Sequence, residues 1–402
     1  MIDFAKLSSK YDTPLYLYDF DDITKNYNEL KEAFTARKSL FCYAVKANSN
    51  LSVLKHLATL GAGCDCVSIG EVKRALIAGV QSYKIIFSGV GKKDAEIEEA
   101  LEKKILMINL ESEEEMCRVE QIADRINCEA RISIRVNPNI DPKTHPYIST
   151  GLHENKFGVD IEVAKKMYLY AAKSKSLNPI GIHFHIGSQI TQTLPFKEAS
   201  QVISSLLKSL HAANIDIKFF DVGGGIGIKY KDEETISLYE YAQNIFESLS
   251  GEDVTVVCEP GRFLVGNSGY LVTKVLYEKK NDKKRFVIVD AAMNDLLRPS
   301  LYKAYHGFEL IDAKDDEEKS LADIVGPICE SGDFLAKDIY IPQTKHDDII
   351  VIKSAGAYGF TMSSNYNTRP RAAEVALSGG KDRLIRKRET IEDLVEQEIE
   401  YL

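Results

Sequence analysis

No stretch of this sequence is apolar for long enough to cross a bilayer, and the opening MIDFAKLSSKYD has no apolar core such as a secretory signal needs. A membrane or secreted protein is therefore not expected; a cytoplasmic one is. An excess of basic charge is missing too. Lys and Arg total 51 against 60 Asp and Glu, a formal net charge of −9, whereas nucleic-acid binding favours a basic face. Seven cysteines without a signal read as reduced thiols and not as a disulfide framework. Paired metal-ligand spacings are lacking as well. CDC at 64–66 and HFH at 183–185 do not have the spacing of a zinc site, so no metal is expected. From the alternation of side chains along a strand, only one of His183 and His185 is expected to face a given site.

What is present is an ordinary globular composition, 44% hydrophobic and 28% charged, over 402 residues. That length exceeds what one compact core usually holds, so two domains are expected. Short apolar runs alternate with amphipathic stretches over the first two thirds. The strand candidates are FCYAV (41–45), CDCV (64–67), IIFS (85–88), LMIN (106–109), RISIRV (131–136), IGIHFHI (180–186), FFDVGG (219–224) and TVVCE (255–259). Between the early ones lie helical segments such as LSVLKHLATL (51–60), GEVKRALIAG (70–79), AEIEEALEKK (95–104) and SEEEMCRVEQIADRI (112–126). Eight such repeats suit a parallel (β/α)8 TIM barrel, and a doubly wound open sheet would give the same alternation.

The polar residues favour the barrel. Lys46, Asp65, Asn109, Arg135, His185, Gly223, Gly224, Gly225 and Glu259 fall at or near the C-terminal ends of the strands, which a barrel gathers at one mouth. Lys46 ends its strand with no acid close by in sequence. Such a lysine either keeps its head in water or is a desolvated amine able to attack a carbonyl.

After Arg262 the texture changes. SGYLVTKVLYEKK (268–280), KRFVIVDAAM (284–293) and HDDIIVIKSAGAY (346–358) read as strands without long helices between them, and TPLYLYD (13–19) has the same character. The expected division is an α/β barrel over 24–263 and a mainly antiparallel β domain over 1–23 and 264–402. DAKDDEEKS (312–320) reads as a solvated loop, and KDRLIRKRETIEDLVEQEIEYL (381–402) as a surface helix.

DVGGGIGIKY (221–230) fails the dinucleotide fingerprint because Tyr230 occupies the last glycine position. Its three glycines either make a tight turn or offer backbone N–H groups to one phosphate. EPGR (259–262) adds a carboxylate and a guanidinium around another turn. A cofactor with one phosphate, an aldehyde for a lysine and a basic ring nitrogen for a carboxylate would use all these parts. Pyridoxal 5′-phosphate is such a molecule.

YAVKAN (43–48), HFHIGSQ (183–189), DVGGGIGI (221–228) and EPGR (259–262) resemble the fold-type III pyridoxal-phosphate decarboxylases, the alanine racemase-like barrel group. MNDLLRPSLYKAYH (293–306), CESGD (329–333) and GAYGFTMSSNYNTRPR (356–371) narrow the resemblance to members acting on meso-2,6-diaminopimelate, which release CO2 and L-lysine. SIGE (68–71) departs from the family, which more usually has a second glycine there; only a local packing change is expected.

By this resemblance Lys46 forms the Schiff base with the cofactor, His185 stacks on its ring and Glu259 pairs with the ring nitrogen. Asp65, Arg135, Ser188, Gly223, Gly224, Gly225, Pro260, Gly261, Arg262 and Tyr358 are implied around the cofactor. Arg262, Arg298, Tyr302, Glu330 and Tyr358 are implied around the substrate, and Cys329 as the general acid. The resemblance also implies a homodimer in which Cys329 and Glu330 complete the neighbour's site. The substrate's distal end carries a carboxylate and an ammonium, which suit the arginines and Glu330. Related decarboxylases acting on carboxynorspermidine, ornithine or arginine, and a non-catalytic pyridoxal-phosphate protein, are the competing readings.

Overall fold

A computed structural model of the chain describes residues 2–141, 156–282, 284–314 and 316–402. The chain divides into two compact units. One comprises Thr24–Ile228 with Glu234–Phe263; the other comprises Met1–Ile23, Lys229–Glu233 and Leu264–Leu402. The short excursion Lys229–Glu233 thus belongs with the β-rich unit, although it lies within the segment read from sequence as barrel.

After β1 (Leu15–Asp19), the next eight strands close a barrel: β2 (Ser39–Ala44), β3 (Gly63–Cys66), β4 (Ile85–Phe87), β5 (Met107–Leu110), β6 (Ala130–Arg135), β7 (Leu177–His183), β8 (Phe219–Asp221) and β9 (Thr255–Cys258). Neighbours pair in parallel and β9 closes on β2, so the eight-strand barrel holds and the open sheet does not. Parallel pairing demands a crossover between strands, which the intervening helices supply. Leu51–Leu60 shows how. The Asn50 side chain accepts from the Ser52 N–H at 2.9 Å and starts the helix, while Val53, Leu54 and Leu57 bury one face. Cys42, Ile86, Leu106, Met107, Ile180 and Val257 form a buried apolar cluster of this unit.

The seventh strand is displaced from the reading at 180–186, starting and ending three residues earlier. Pro179 has no N–H to give to the ladder, and the register between β6 and β7 slips there by one residue. The Tyr168 hydroxyl spans the irregularity. It accepts from the Ile134 N–H at 3.3 Å and donates to the Gly181 carbonyl at 2.7 Å.

The second unit adds β10 (Gly269–Lys280), β11 (Arg285–Val289), β12 (Phe308–Leu310), β13 (Lys319–Val325), β14 (Phe334–Pro342), β15 (Ile349–Ile352), β16 (Ala373–Ser378) and β17 (Lys381–Arg386). They form a sheet in the order β14-β13-β11-β10-β1-β16-β17, with β15 paired to β10 and β12 to β15. Among the described residues β1–β16 and β11–β13 pair in parallel and the other pairs are antiparallel. Leu15, Leu17, Val272, Val351, Ala373 and Val375 form its core on one face.

Two expectations fail here. Residues 381–402 are not one helix: Lys381–Arg386 is β17, and the helix is Ile391–Ile399. Gly379 and Gly380, at φ 54° and 74°, make the two-residue turn that folds β17 back on β16, and left-handed backbone at both positions suits glycine. The acidic segment 312–320 gives up Lys319 and Ser320 to β13, and its Asp315 lies outside the described residues. Among the described residues no helix is long and apolar enough to cross a membrane.

Candidate active site

Lys46 lies in a 3-10 turn, Val45–Ala47, directly after β2. Its Nζ donates to Asp65 Oδ2 at 3.0 Å, so the acid missing from its sequence neighbourhood comes from the adjacent strand. Asp65 is buried, and its other oxygen accepts from the Ser88 hydroxyl at 2.7 Å. Ser88 in turn accepts from the Asn109 amide at 3.0 Å. Burial and the charge of Glu259 push the Asp65 carboxyl up, while Lys46 and Ser88 pull it back. The chain Asn109–Ser88–Asp65–Lys46 thus fixes the amine across the ends of four successive strands.

Across the barrel, strand register sets Arg135, His183 and Asp221 level with one another. Arg135 donates to Glu111 at 2.9 Å and lies over the Phe157 ring, 4.6 Å from its centre. The second Glu111 oxygen accepts from the Gly158 N–H at 2.7 Å. Arg135 Nη2 has no partner among the described residues.

The two histidines correct the reading of HFH. β7 ends at His183, yet both histidines serve this site, His183 beside Glu259 and His185 beside Gly224, while Phe184 packs against Phe220. His183 Nε2 lies 3.4 Å from Glu259 Oε2. His185 Nδ1 accepts from the Gly224 N–H at 3.1 Å, which leaves its proton on Nε2. Burial, then Arg135 and Lys46, hold the His185 imidazole well below its usual pKa, so it is neutral.

Glu259 follows β9 and is buried. Burial alone would push its carboxyl up, but His183, Lys46 and His185 outweigh burial and hold it down to about 2. Asp221 goes the other way: burial and then the Glu259 charge raise it well above the ordinary range. Two carboxylates at this separation divide into one anion and one neutral acid. The donor atoms of His183, Asp221 and Glu259 all lie within 4.8 Å of one another, and among the described residues no other His, Cys, Asp and Glu cluster so closely.

The glycine turn is tighter than a row of three free N–H groups. Gly223 and Gly225 take φ 66° and 109°, conformations that disfavour any side chain. The Gly223 N–H donates to Asp221 Oδ1 at 2.9 Å and the Gly224 N–H to His185. Only the Gly225 N–H has no partner among the described residues. Beside it, Arg262 Nη2 donates to the Ser188 hydroxyl at 3.0 Å. The Pro260 carbonyl accepts from the Ala44 N–H at 3.1 Å, and Gly261 packs against Ala44 and Ala47. In SIGE, Ser68 caps the helix Ile69–Ile77 by accepting from the Glu71 N–H at 3.2 Å.

The remaining candidates belong to the β-rich unit. Arg298 is buried; Nη1 lies 3.0 Å from His306 Nε2, and the guanidinium sits 4.8 Å from the centre of the Tyr230 ring. His306 Nδ1 donates to the Lys353 carbonyl at 2.9 Å, so Nε2 is left to accept from Arg298. Tyr302 is half-buried on the same short helix, Arg298–Tyr302. Cys329 and Glu330 are exposed on this chain. The Cys329 N–H donates to Asn367 Oδ1 at 2.9 Å, and Glu330 accepts from the Tyr366 hydroxyl at 2.8 Å. Tyr358 is half-buried with φ 56°, an uncommon conformation for a bulky residue. Sequence reasoning missed His183, Asp221, His306 and Tyr230. All four sit inside quoted motifs, and correct strand parity would have brought out His183.

The sequence model described as pyridoxal-dependent decarboxylase, pyridoxal binding domain, matches residues 20–266. The diaminopimelate decarboxylase of Campylobacter jejuni is 58% identical to this chain over 402 residues, covering all of both chains. The crystal structure of diaminopimelate decarboxylase from Helicobacter pylori complexed with L-lysine superposes with a TM-score of 0.96 at 56% identity, again over all of both chains. The crystal structure of diaminopimelate decarboxylase from M. jannaschii in complex with L-lysine gives 0.92 at 37% identity over 98% of this chain and 93% of the other.

Proposed function

The chain belongs to the pyridoxal-dependent decarboxylases, and on that premise we propose that it decarboxylates meso-2,6-diaminopimelate to L-lysine and CO2 in the cytoplasm. The observation that carries the chemistry is Glu259, a buried anion whose Oε1 has no partner among the described residues, at the same barrel end as Lys46. A basic ring nitrogen is the partner such an oxygen lacks. The Gly225 N–H and the Arg262–Ser188 pair are of the kind that holds a phosphate, so these residues fit pyridoxal 5′-phosphate. When bound, that cofactor supplies an aldehyde for an amine and a protonated ring that draws electrons from the substrate α-carbon.

Lys46 is the amine that would hold it, positioned by Asp65. His185, neutral and fixed by the Gly224 N–H, would lie against the ring face without adding charge. Arg298 presents a planar cation braced by His306 and Tyr230, suited to the distal carboxylate, and Glu330 an anion for the distal ammonium. Tyr302 and Tyr358 would flank them, and Cys329 would return a proton to the α-carbon. Diamine-forming rivals would leave Arg298 unanswered. A single-turnover assay of CO2 release, with meso-diaminopimelate against ornithine, arginine and carboxynorspermidine, tests this; preference for a rival would overturn it.

Two results are expected at once. Borohydride reduction of the holoenzyme followed by peptide mapping should place the pyridoxyl group on Lys46, and labelling of another lysine would reject the assignment. Arg298→Ala should keep the cofactor's absorbance but raise KM on the order of tenfold to a hundredfold, because a hydrogen bond to a charged group contributes about 1.5–3 kcal/mol. An unchanged kcat/KM would remove Arg298 from the substrate.

A further inference from the structure

We infer that His183 is a positioning residue for the reaction: its Nε2–H holds the Glu259 carboxylate anionic and aimed at the cofactor's ring nitrogen. The inference rests on Glu259 being that nitrogen's partner.

His183 is 1% exposed, at the end of β7, level with Asp221 on β8. Its Nε2 stands 3.4 Å from Glu259 Oε2, an ion-pair distance, and neither ring nitrogen completes a hydrogen bond among the described residues. A core imidazole kept only for packing has no reason to face a buried carboxylate. Glu259 has two oxygens with different surroundings: Oε2 faces His183, and Oε1 is left for a ligand. Asp221, anchored through Oδ1 to the Gly223 N–H, adds no second negative charge if it stays a neutral acid. Burial and the Glu259 charge push it well up, which agrees with that division. His183 is therefore the donor on which the orientation of Glu259 depends.

The decisive readout is the ring nitrogen itself. Holoenzymes of His183→Leu, His183→Gln and Glu259→Gln would be loaded with 15N-labelled pyridoxal phosphate and compared with the parent by NMR. In His183→Leu the 15N resonance should move from the protonated position toward that of Glu259→Gln. Its kcat should fall about tenfold or more, the usual scale for losing a hydrogen bond to a charge, with KM changing little. His183→Gln keeps an N–H at similar reach and should recover most of both. A parent-like resonance in His183→Leu would overturn the inference, and so would equal loss in the Leu and Gln variants, which would mark a packing role. Should His183→Leu fail to fold, His183→Met takes its place in the same comparison. If Glu259→Gln itself leaves the resonance at the parent position, the reading of Glu259 fails first. If only the His183 variants are silent, that reading stands and this one does not.

Discussion

Glu259→Gln is expected to bind its cofactor and to lose about a hundredfold to a thousandfold in turnover, the scale of removing one pre-organised electrostatic partner. The amide is nearly the same size as the carboxyl, so packing at the end of β9 should survive. Its charge does not. His183, Lys46 and His185 together hold the native carboxyl down to about 2 against its burial, so Glu259 remains an anion through the whole neutral range. An amide cannot answer a protonated ring nitrogen, and the nitrogen should give up its proton. Because Asp65 positions Lys46, covalent attachment should be retained. Steady-state kcat at saturating pyridoxal phosphate, beside the absorbance spectrum, checks this. Turnover within threefold of the parent would assign Glu259 a different role.

The barrel was legible because its strands are buried on both faces. Parallel strands of this kind read as unbroken apolar runs, and the polar residue that ends each run marks the mouth. Lys46, Asp65, Arg135 and Glu259 were picked out as candidates in that way, and strand register brings them to one end. What sequence could not show is how the polar groups divide their bonds. Asp65 is distant from Lys46 in sequence and is its neighbour only through the pairing of β2 with β3. The N–H groups of Gly223 and Gly224 look free in the sequence but are taken by Asp221 and His185.

The errors have physical causes. HFH was split between two faces, although a period of two puts its histidines together. In the β-rich unit, β14 and β17 lie at the sheet edges and carry exposed polar residues, so no apolar run announces them. The Gly379–Gly380 pair was the available hairpin signal for β17. Arg298 could be named from its motif, but its bracing by Tyr230 and His306 depends on the excursion Lys229–Glu233 folding with the β-rich unit.

Mixing two inactive variants should restore activity if each site draws on two chains. On the proposed reading, Lys46→Ala would remove the amine at both sites of a homodimer and Cys329→Ala the proton donor at both, so each alone should be nearly inactive. Cys329 and Glu330 are exposed on this chain, one held through its N–H by Asn367 and the other through its carboxylate by Tyr366. Their side chains are thus presented outward on a fixed loop, as residues acting on a neighbouring chain would be. When the variants are co-expressed equally, random pairing makes about half the dimers mixed, and a two-fold interface then gives one site both defects and the other none. Activity should recover to about one quarter of the parent, half the dimers and half the sites in each. Had Lys46 and Cys329 served one site from the same chain, every site would carry a defect and mixing would restore nothing. Mass spectrometry of the intact dimers confirms the mixing. Mixed dimers no more active than their parents would reject the shared site.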